Sequence, residues 1–162
     1  MNCVFQAVFV CCYLFVFSCT GEPSSTLAAT EGKVVAIADG DTFTLLTGDK
    51  EQVKIRLYGI DCPEKKQDFG QVAKQRLSDM VFGQKVSIIK KDIDRYGRTV
   101  ALVYKKDTCI NEELLKEGLA WHYVKYDRNL AWELMEKQAR REKVGLWVQP
   151  HPVPPWEWRK KK

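Results

Sequence analysis

Histidine is nearly absent: the 162 residues include two, His122 among aromatic residues and His151 in a proline-rich tail. Neither lies near the acidic runs of the chain, so chemistry built on an imidazole base is disfavoured and both read as structural or surface groups. Cysteine is scarce where it would matter. Of six, Cys3, Cys11, Cys12 and Cys19 fall in or at the end of the N-terminal segment, which leaves only Cys62 and Cys109 beyond it. Two thiols make neither a disulfide framework nor a zinc site. A Cys62–Cys109 bridge would need an oxidising compartment, and spacing alone does not establish it. The sequence has no G-x-S-x-G, no Walker-type phosphate loop, no paired C-x-x-C and no internal repeat. Serine hydrolases of the elbow type, P-loop enzymes and zinc-ribbon modules are therefore set aside. No Lys or Arg precedes Lys33, so the whole basic content behind the net charge of +5 lies after the N-terminal segment. That balance suits polyanionic partners and equally suits ordinary solubility.

The first long feature that is present is Val4–Phe17, an almost unbroken apolar run. It is shorter than the ~20 residues of a comfortable membrane span and long enough for the apolar core of a signal segment. Val16-Phe17-Ser18-Cys19 resembles a bacterial lipobox, with Phe17 bulkier than usual and no basic residue ahead of the run. The expectation is a signal segment over residues 1–19 and export. Two fates stay open: a cell-envelope lipoprotein attached to the membrane through lipidated Cys19, or a secreted protein after simple cleavage, near Ala28-Ala29. Residues 20–31 read as a polar tether.

A length of 162 residues suits one domain, read here over residues 32–150 with a Pro/Trp/Lys tail over 151–162. Lys33–Ile37 is a β-branched run, Thr42–Thr47 a second strand, and Thr47–Lys50 a hairpin turn into a third, Gln52–Tyr58. In that third strand Ile55 and Leu57 share one face and Arg56 the other. Ala73, Leu77, Met80 and Val81 fall at helical spacing over residues 69–82, with Gly83 as the stop. Lys85–Ile93 and Thr99–Tyr104 are two more strands. Asn111 reads as a helix start with Gly118 as its stop. A further helix runs from Asn129 to Val144 along Ala131, Met135 and Ala139, ended by Gly145. Five strands and about three helices predict an α+β, mainly β architecture: a five-stranded OB-fold barrel with helical additions. The tail has two readings, one packed back through its tryptophans with its basic end available for phosphates, the other a disordered solubility tail.

The chemistry gathers in carboxylates. Asp39-Gly40-Asp41 opens the second strand, and Asp61 and Glu64 follow the third, where neighbouring strand ends can meet. Carboxylate oxygens without imidazole or thiolate partners suit a hard cation, Ca²⁺ or Mg²⁺. No EF-hand explains them. Read from Asp39, such a loop has Phe43, Thr44 and Lys50 at its fifth, sixth and twelfth positions; read from Asp92, it has Val103 where the bidentate glutamate belongs.

D-G-D-T at Asp39–Thr42, R-L-Y-G-I-D-C-P-E at Arg56–Glu64 and D-R-Y-G-R at Asp94–Arg98 together resemble the three signature blocks of the thermonuclease, or staphylococcal-nuclease-like, family, in order and separation. N-E-E-L-L-K-E-G-L-A at Asn111–Ala120 and G-L-W at Gly145–Trp147 extend the likeness over residues 32–150. The resemblance implies an OB-fold endonuclease that hydrolyses DNA, RNA or both to 3′-phosphate products. It implies Ca²⁺ held by Asp41, Asp61 and the backbone carbonyl of Cys62, which stands where the founding member has a threonine. It implies Glu64 as general base, Arg56 and Arg98 as stabilisers of phosphoryl charge, and Arg95, Tyr96 and Tyr126 as substrate contacts in a monomer. The residue types suit those roles, since arginine forks bind phosphoryl oxygens and a glutamate beside a cation stays ionised. If these side chains face the site, replacing them leaves the fold intact. A non-catalytic OB module that binds nucleic acid is the alternative, and such modules typically lack this acidic and arginine set.

Overall fold

The computed structural model describes residues 29–161. The expected signal segment (1–19) with Cys19, residues 20–28 of the expected tether and Lys162 lie outside the described residues.

Alternating apolar residues build the barrel. β1 (Thr30–Ile37), β2 (Thr42–Thr47) and β3 (Gln52–Leu57) form an antiparallel meander, with Val34 opposite Leu45 and Phe43 opposite Ile55. The β2–β3 turn lies where Thr47-Gly48-Asp49-Lys50 predicts it, with the Lys50 amide donating to the Thr47 carbonyl at 3.1 Å. Two residues, Ile60–Asp61, form β4 after a turn at Gly59. Gly59 has φ +68°, and an added Cβ would lie 2.7 Å from the Trp132 ring, so both conformation and space require glycine there. α1 (Gly70–Val81) crosses to β5 (Lys85–Ile93) and β6 (Thr99–Lys105). β1 pairs with β5, β5 with β6, and β6 returns to β3 in parallel, Ile55 meeting Thr99. That parallel seam closes five strands into a barrel, and register shifts between Val34 and Ala36 and between Lys90 and Asp92 supply the bends closure needs.

Phe43, Leu45, Ile55, Leu57, Val34 and Val103 fill the interior at 1% exposure or less. Each such side chain contributes about 1.5–3 kcal/mol of transfer free energy. α1 caps the barrel with Ala73, Leu77, Met80 and Val81, as its spacing predicts, and Gly83 follows its end at φ +73°.

β7 (Thr108–Cys109) leads into α2 (Ile110–Lys116), β8 (Trp121–His122), α3 (Leu130–Glu142) and a 3-10 turn at Gly145–Val148. β8 pairs with β4, Ile60 opposite His122 and Asp61 opposite Trp121. Three expectations are corrected. Asn111 does not cap α2; it lies inside the first turn, fully buried, with its amide bonded to other elements. Of the expected α3 stripe, Met135 packs against the core and Ala139 is buried, but Ala131 is exposed, because the large indole of Trp132 claims the core position beside it. α3 stops at Lys143, which is itself left-handed at φ 53°, two residues before Gly145. Cys62 and Cys109 are both buried free thiols.

The tail packs back through Trp156, but Arg159 of its basic end, which that reading left for phosphates, meets carboxylates instead. Trp121, Ala139, Leu146 and Trp147 form a second small core, and Trp156 of α4 (Pro155–Trp158) packs onto it. The Trp156 ring lies flat on Tyr123, centroids 4.9 Å apart and planes 8° off parallel, and edge-on to Trp121 at 5.7 Å. A 3-10 turn, Arg159–Lys161, ends the described chain.

Candidate functional site

Strand register assembles the site. Thr42 faces Arg56 across β2 and β3, so Asp41, one residue earlier, comes within reach of the Arg56 guanidinium. The turn at Gly59 sends the chain back through β4, which sets Asp61 beside both. Gly40 permits the close approach: a Cβ there would lie 2.8 Å from the Cβ atoms of Cys62 and Ala73. The Cys62 amide then donates to Asp41 Oδ2 at 2.8 Å, and the Cys62 thiol donates to the Gly40 carbonyl at 3.3 Å. Burial pushes that thiol far above its ordinary range, with Arg56 lowering it and Asp61 raising it further, so it stays protonated as the donor to Gly40.

Asp41 is 5% exposed and Asp61 1%. Two buried carboxylates need partners, and Arg56 supplies them. Its Nη2 donates to Asp61 Oδ1 at 2.7 Å and to the Ile60 carbonyl at 3.3 Å, while Nη1 closes onto Asp41 Oδ1. Glu64 stands on the turn after β4, at the mouth of the cleft. Its amide donates to Gln67 Oε1 at 3.1 Å, and its carboxylate accepts from Arg159 Nη1 at 2.8 Å.

The β5–β6 loop forms the opposite wall. Arg98 Nε donates to Asp94 Oδ2 at 2.7 Å and its Nη1 to Thr42 Oγ at 3.3 Å, so Arg98 makes the turn ion pair and also faces the start of β2. Tyr96 is 68% exposed, with Arg95 over its ring at 4.8 Å. Tyr126 and Tyr123 close the far side, edge to face at 4.9 Å. Every side chain nominated from the sequence thus lines one cleft of about 830 Å³. His122 is not among them: buried beneath the site, it pairs through Nε2 with Asp127 at 3.0 Å.

The cleft is balanced in charge. Asp39, Asp41, Asp61, Glu64, Asp92 and Asp94 line it against Arg56, Arg95, Arg98, Lys125, Arg159 and Lys160. Among the described residues no three carboxylate, imidazole or thiolate groups converge on one point. Asp41 and Asp61 are a pair of hard oxygen donors, which fits a cation such as Ca²⁺ or Mg²⁺ that fills its other positions with carbonyl, water or substrate oxygens.

Among the cleft residues not nominated from the sequence, Trp156, Arg159 and Lys160 come from the tail. Their signal was indirect. Two tryptophans in a short terminal segment favour burial over solution, and any basic residue just after them follows the tail to wherever it docks.

The chain matches the family described as staphylococcal nuclease homologue over residues 54–149. It is 42% identical over 128 residues to a Haemophilus influenzae protein named "Uncharacterized endonuclease", covering 79% of this chain and 72% of that one. It is 41% identical over 140 residues to "Micrococcal nuclease" of Shigella flexneri, covering 80% of each. A third relative, "Staphylococcal-like nuclease CAN1" of Arabidopsis thaliana, is 44% identical over 131 residues, which is 78% of this chain and 40% of the plant protein.

Proposed function

The chain belongs to the staphylococcal nuclease family, and from that premise we propose that it is an exported, monomeric, Ca²⁺-dependent endonuclease that hydrolyses DNA, RNA or both and leaves 3′-phosphate ends. The observation that carries the reading is the grouping of two buried carboxylates, a mouth-side glutamate and two anchored arginines around one cleft.

Asp41, Asp61 and the Cys62 carbonyl would hold the cation. When bound, it would offset the negative charge of the cleft floor and of a phosphodiester brought against it. Glu64, at the solvent side, takes the proton from the water that attacks phosphorus. The P–O bond to the 5′ oxygen breaks, which leaves the phosphate on the 3′ side. Negative charge grows on the non-bridging oxygens meanwhile, and Arg56 and Arg98 are the guanidinium donors set to meet it. Their anchors, Asp61 and Asp94, fix those donors before substrate arrives, so little reorganisation is left for the reaction. Arg95, Tyr96 and Tyr126 along the rim suit the flanking nucleotides, as charge and stacking surfaces.

Glu64→Gln tests the reading. Single-turnover cleavage of a labelled oligonucleotide should fall by about 10²–10⁴, with the melting temperature and the oligonucleotide affinity retained. Arg98→Ala should cost a comparable factor. Chelator should abolish wild-type cleavage, and Ca²⁺ should restore it. Wild-type protein that binds the oligonucleotide in Ca²⁺ and never cuts it would make the chain a binding module instead. Arg56→Ala is not a clean test. Arg56 is a charge partner of both buried aspartates, so its loss should also destabilise the fold, by about 3–5 kcal/mol.

Export rests on the run Val4–Phe17 and on Ser18-Cys19. Mass spectrometry of the mature N-terminus should find the segment removed. A start at lipidated Cys19 would mean a membrane anchor, an unmodified later start would mean secretion, and an intact Met1 on cytoplasmic protein would rule out export.

A further inference from the structure

The tail does more than cover a core. Arg159 Nη2 donates to Asp61 Oδ2 at 2.8 Å, and Nη1 donates to Asp61 Oδ1 at 3.3 Å and to Glu64 Oε1 at 2.8 Å. Both oxygens of the most buried carboxylate in the cleft are therefore taken, Oδ1 by Arg56 and Arg159 together and Oδ2 by Arg159. The grip is aimed by the tail's own docking. Trp156 is stacked on Tyr123, Pro155 is buried, and Gln67 Nε2, from the turn that carries Glu64, donates to the Val153 carbonyl. The guanidinium itself is not locked in. The Arg159 side chain is 43% exposed, so it can swing into solvent without opening the core, whereas Arg56, at 14%, cannot.

Asp61 offers about four lone-pair sites, of which Arg159 holds two, and a second guanidinium beside Arg56 on the same carboxylate would face an arriving cation with like charge. Arg159 and the cation therefore oppose each other on Asp61, while Arg56 stays in place in both states. Whatever free energy the Arg159 contacts supply to the cation-free cleft is subtracted from cation binding. We propose that Arg159 is an internal competitor for the divalent cation: it neutralises Asp61 and Glu64 while the cleft is empty of metal, must leave Asp61 when metal binds, and so sets the cation concentration at which the nuclease works. The inference rests on the assignment of Asp61 as a cation ligand.

The test is calorimetric titration of Ca²⁺ alone, without nucleic acid, into the full chain and its Arg159→Ala, Arg159→Gln, Arg159→Lys and Asp61→Asn variants. Melting curves without Ca²⁺ check that each is folded. The Ala and Gln variants should bind Ca²⁺ on the order of tenfold more tightly than wild type, a change of about 1.4 kcal/mol. Arg159→Lys, which keeps the charge but loses the fork, should fall between. Unchanged or weaker Ca²⁺ binding in both Ala and Gln variants, with Asp61→Asn abolishing binding, would overturn the competition and leave the cation site standing. No Ca²⁺ binding in wild type and in the Ala and Gln variants alike, or Asp61→Asn that binds it as wild type does, would overturn the cation site and this inference with it.

Discussion

Asp94 shows how one carboxylate can organise a functional loop. It accepts from the Tyr96 amide at 2.9 Å, the Arg98 amide at 3.0 Å and Arg98 Nε at 2.7 Å. Partial burial alone would raise its pKa, but the Arg98 amide and guanidinium and the Tyr96 amide outweigh that and hold the group below its ordinary value. A depressed carboxylate stabilises the fold above the unfolded-state pKa and loses that contribution as pH falls through the lower folded-state value. Replacement of Asp94 by Ala should therefore lower stability by about 1–3 kcal/mol at neutral pH, with the gap between variant and wild type constant from pH 8 to 5. Below about pH 4, the ordinary aspartate range, the gap should close. Thermal melts across that range measure it, and a gap independent of pH would remove the ionised Asp94 from the account. The same variant frees Arg98 from its anchor, so cleavage should weaken with it.

At the scale of elements, Asn111 joins three of them. Its Oδ1 accepts from the Val103 amide of β6 at 3.0 Å, and its Nδ2 donates to the carbonyls of Tyr58 at 2.9 Å and Ala101 at 3.4 Å. α2 is thereby pinned to β6 and to the turn that leads into β4, hence to Asp61. Asn111→Ala leaves buried backbone groups unpaired and should cost about 2–5 kcal/mol. The denaturant midpoint should drop at unchanged slope; a loss below about 1 kcal/mol would mean that water replaces the amide. Nothing local announces this role. Asparagine before two glutamates reads as a helix start, and only the tertiary fold turns it inward. The barrel strands and α1 were legible because burial imposes a period of two or 3.6 on residues such as Ile55 and Leu57 or Ala73 and Leu77. β4, β7 and β8 were not, because two-residue pairings carry no period. In α3 the helical period was right, with Met135 against the core and Ala139 buried as expected; only Ala131 is displaced, since Trp132 takes the interior position beside it. The cleft was readable in its acidic and arginine residues because they stand in three short blocks near strand ends. Arg159 was not, because its partners lie almost a hundred residues away in sequence.

For the molecule as a whole, the even count of acidic and basic groups along the cleft has a direct effect on binding. A cleft with no net charge attracts a polyanion weakly, and a divalent cation on the aspartates would tip it positive. In the Glu64→Gln variant, which should bind without cutting, oligonucleotide affinity should rise when Ca²⁺ is added and fall steeply with added monovalent salt in both conditions. Affinity indifferent to Ca²⁺ would place the bound strand away from the aspartates. The parallel seam between β3 and β6 bears on how the protein comes to exist at all. Residue 55 must find residue 99 before the barrel closes, a long-range pairing of the kind that makes folding slow. The acidic blocks lie before β6, and Arg98 lies at its threshold, so a nascent chain that has not yet produced β6 has no closed cleft. Catalytic competence therefore waits until the chain through β6 has been made and has paired with β3.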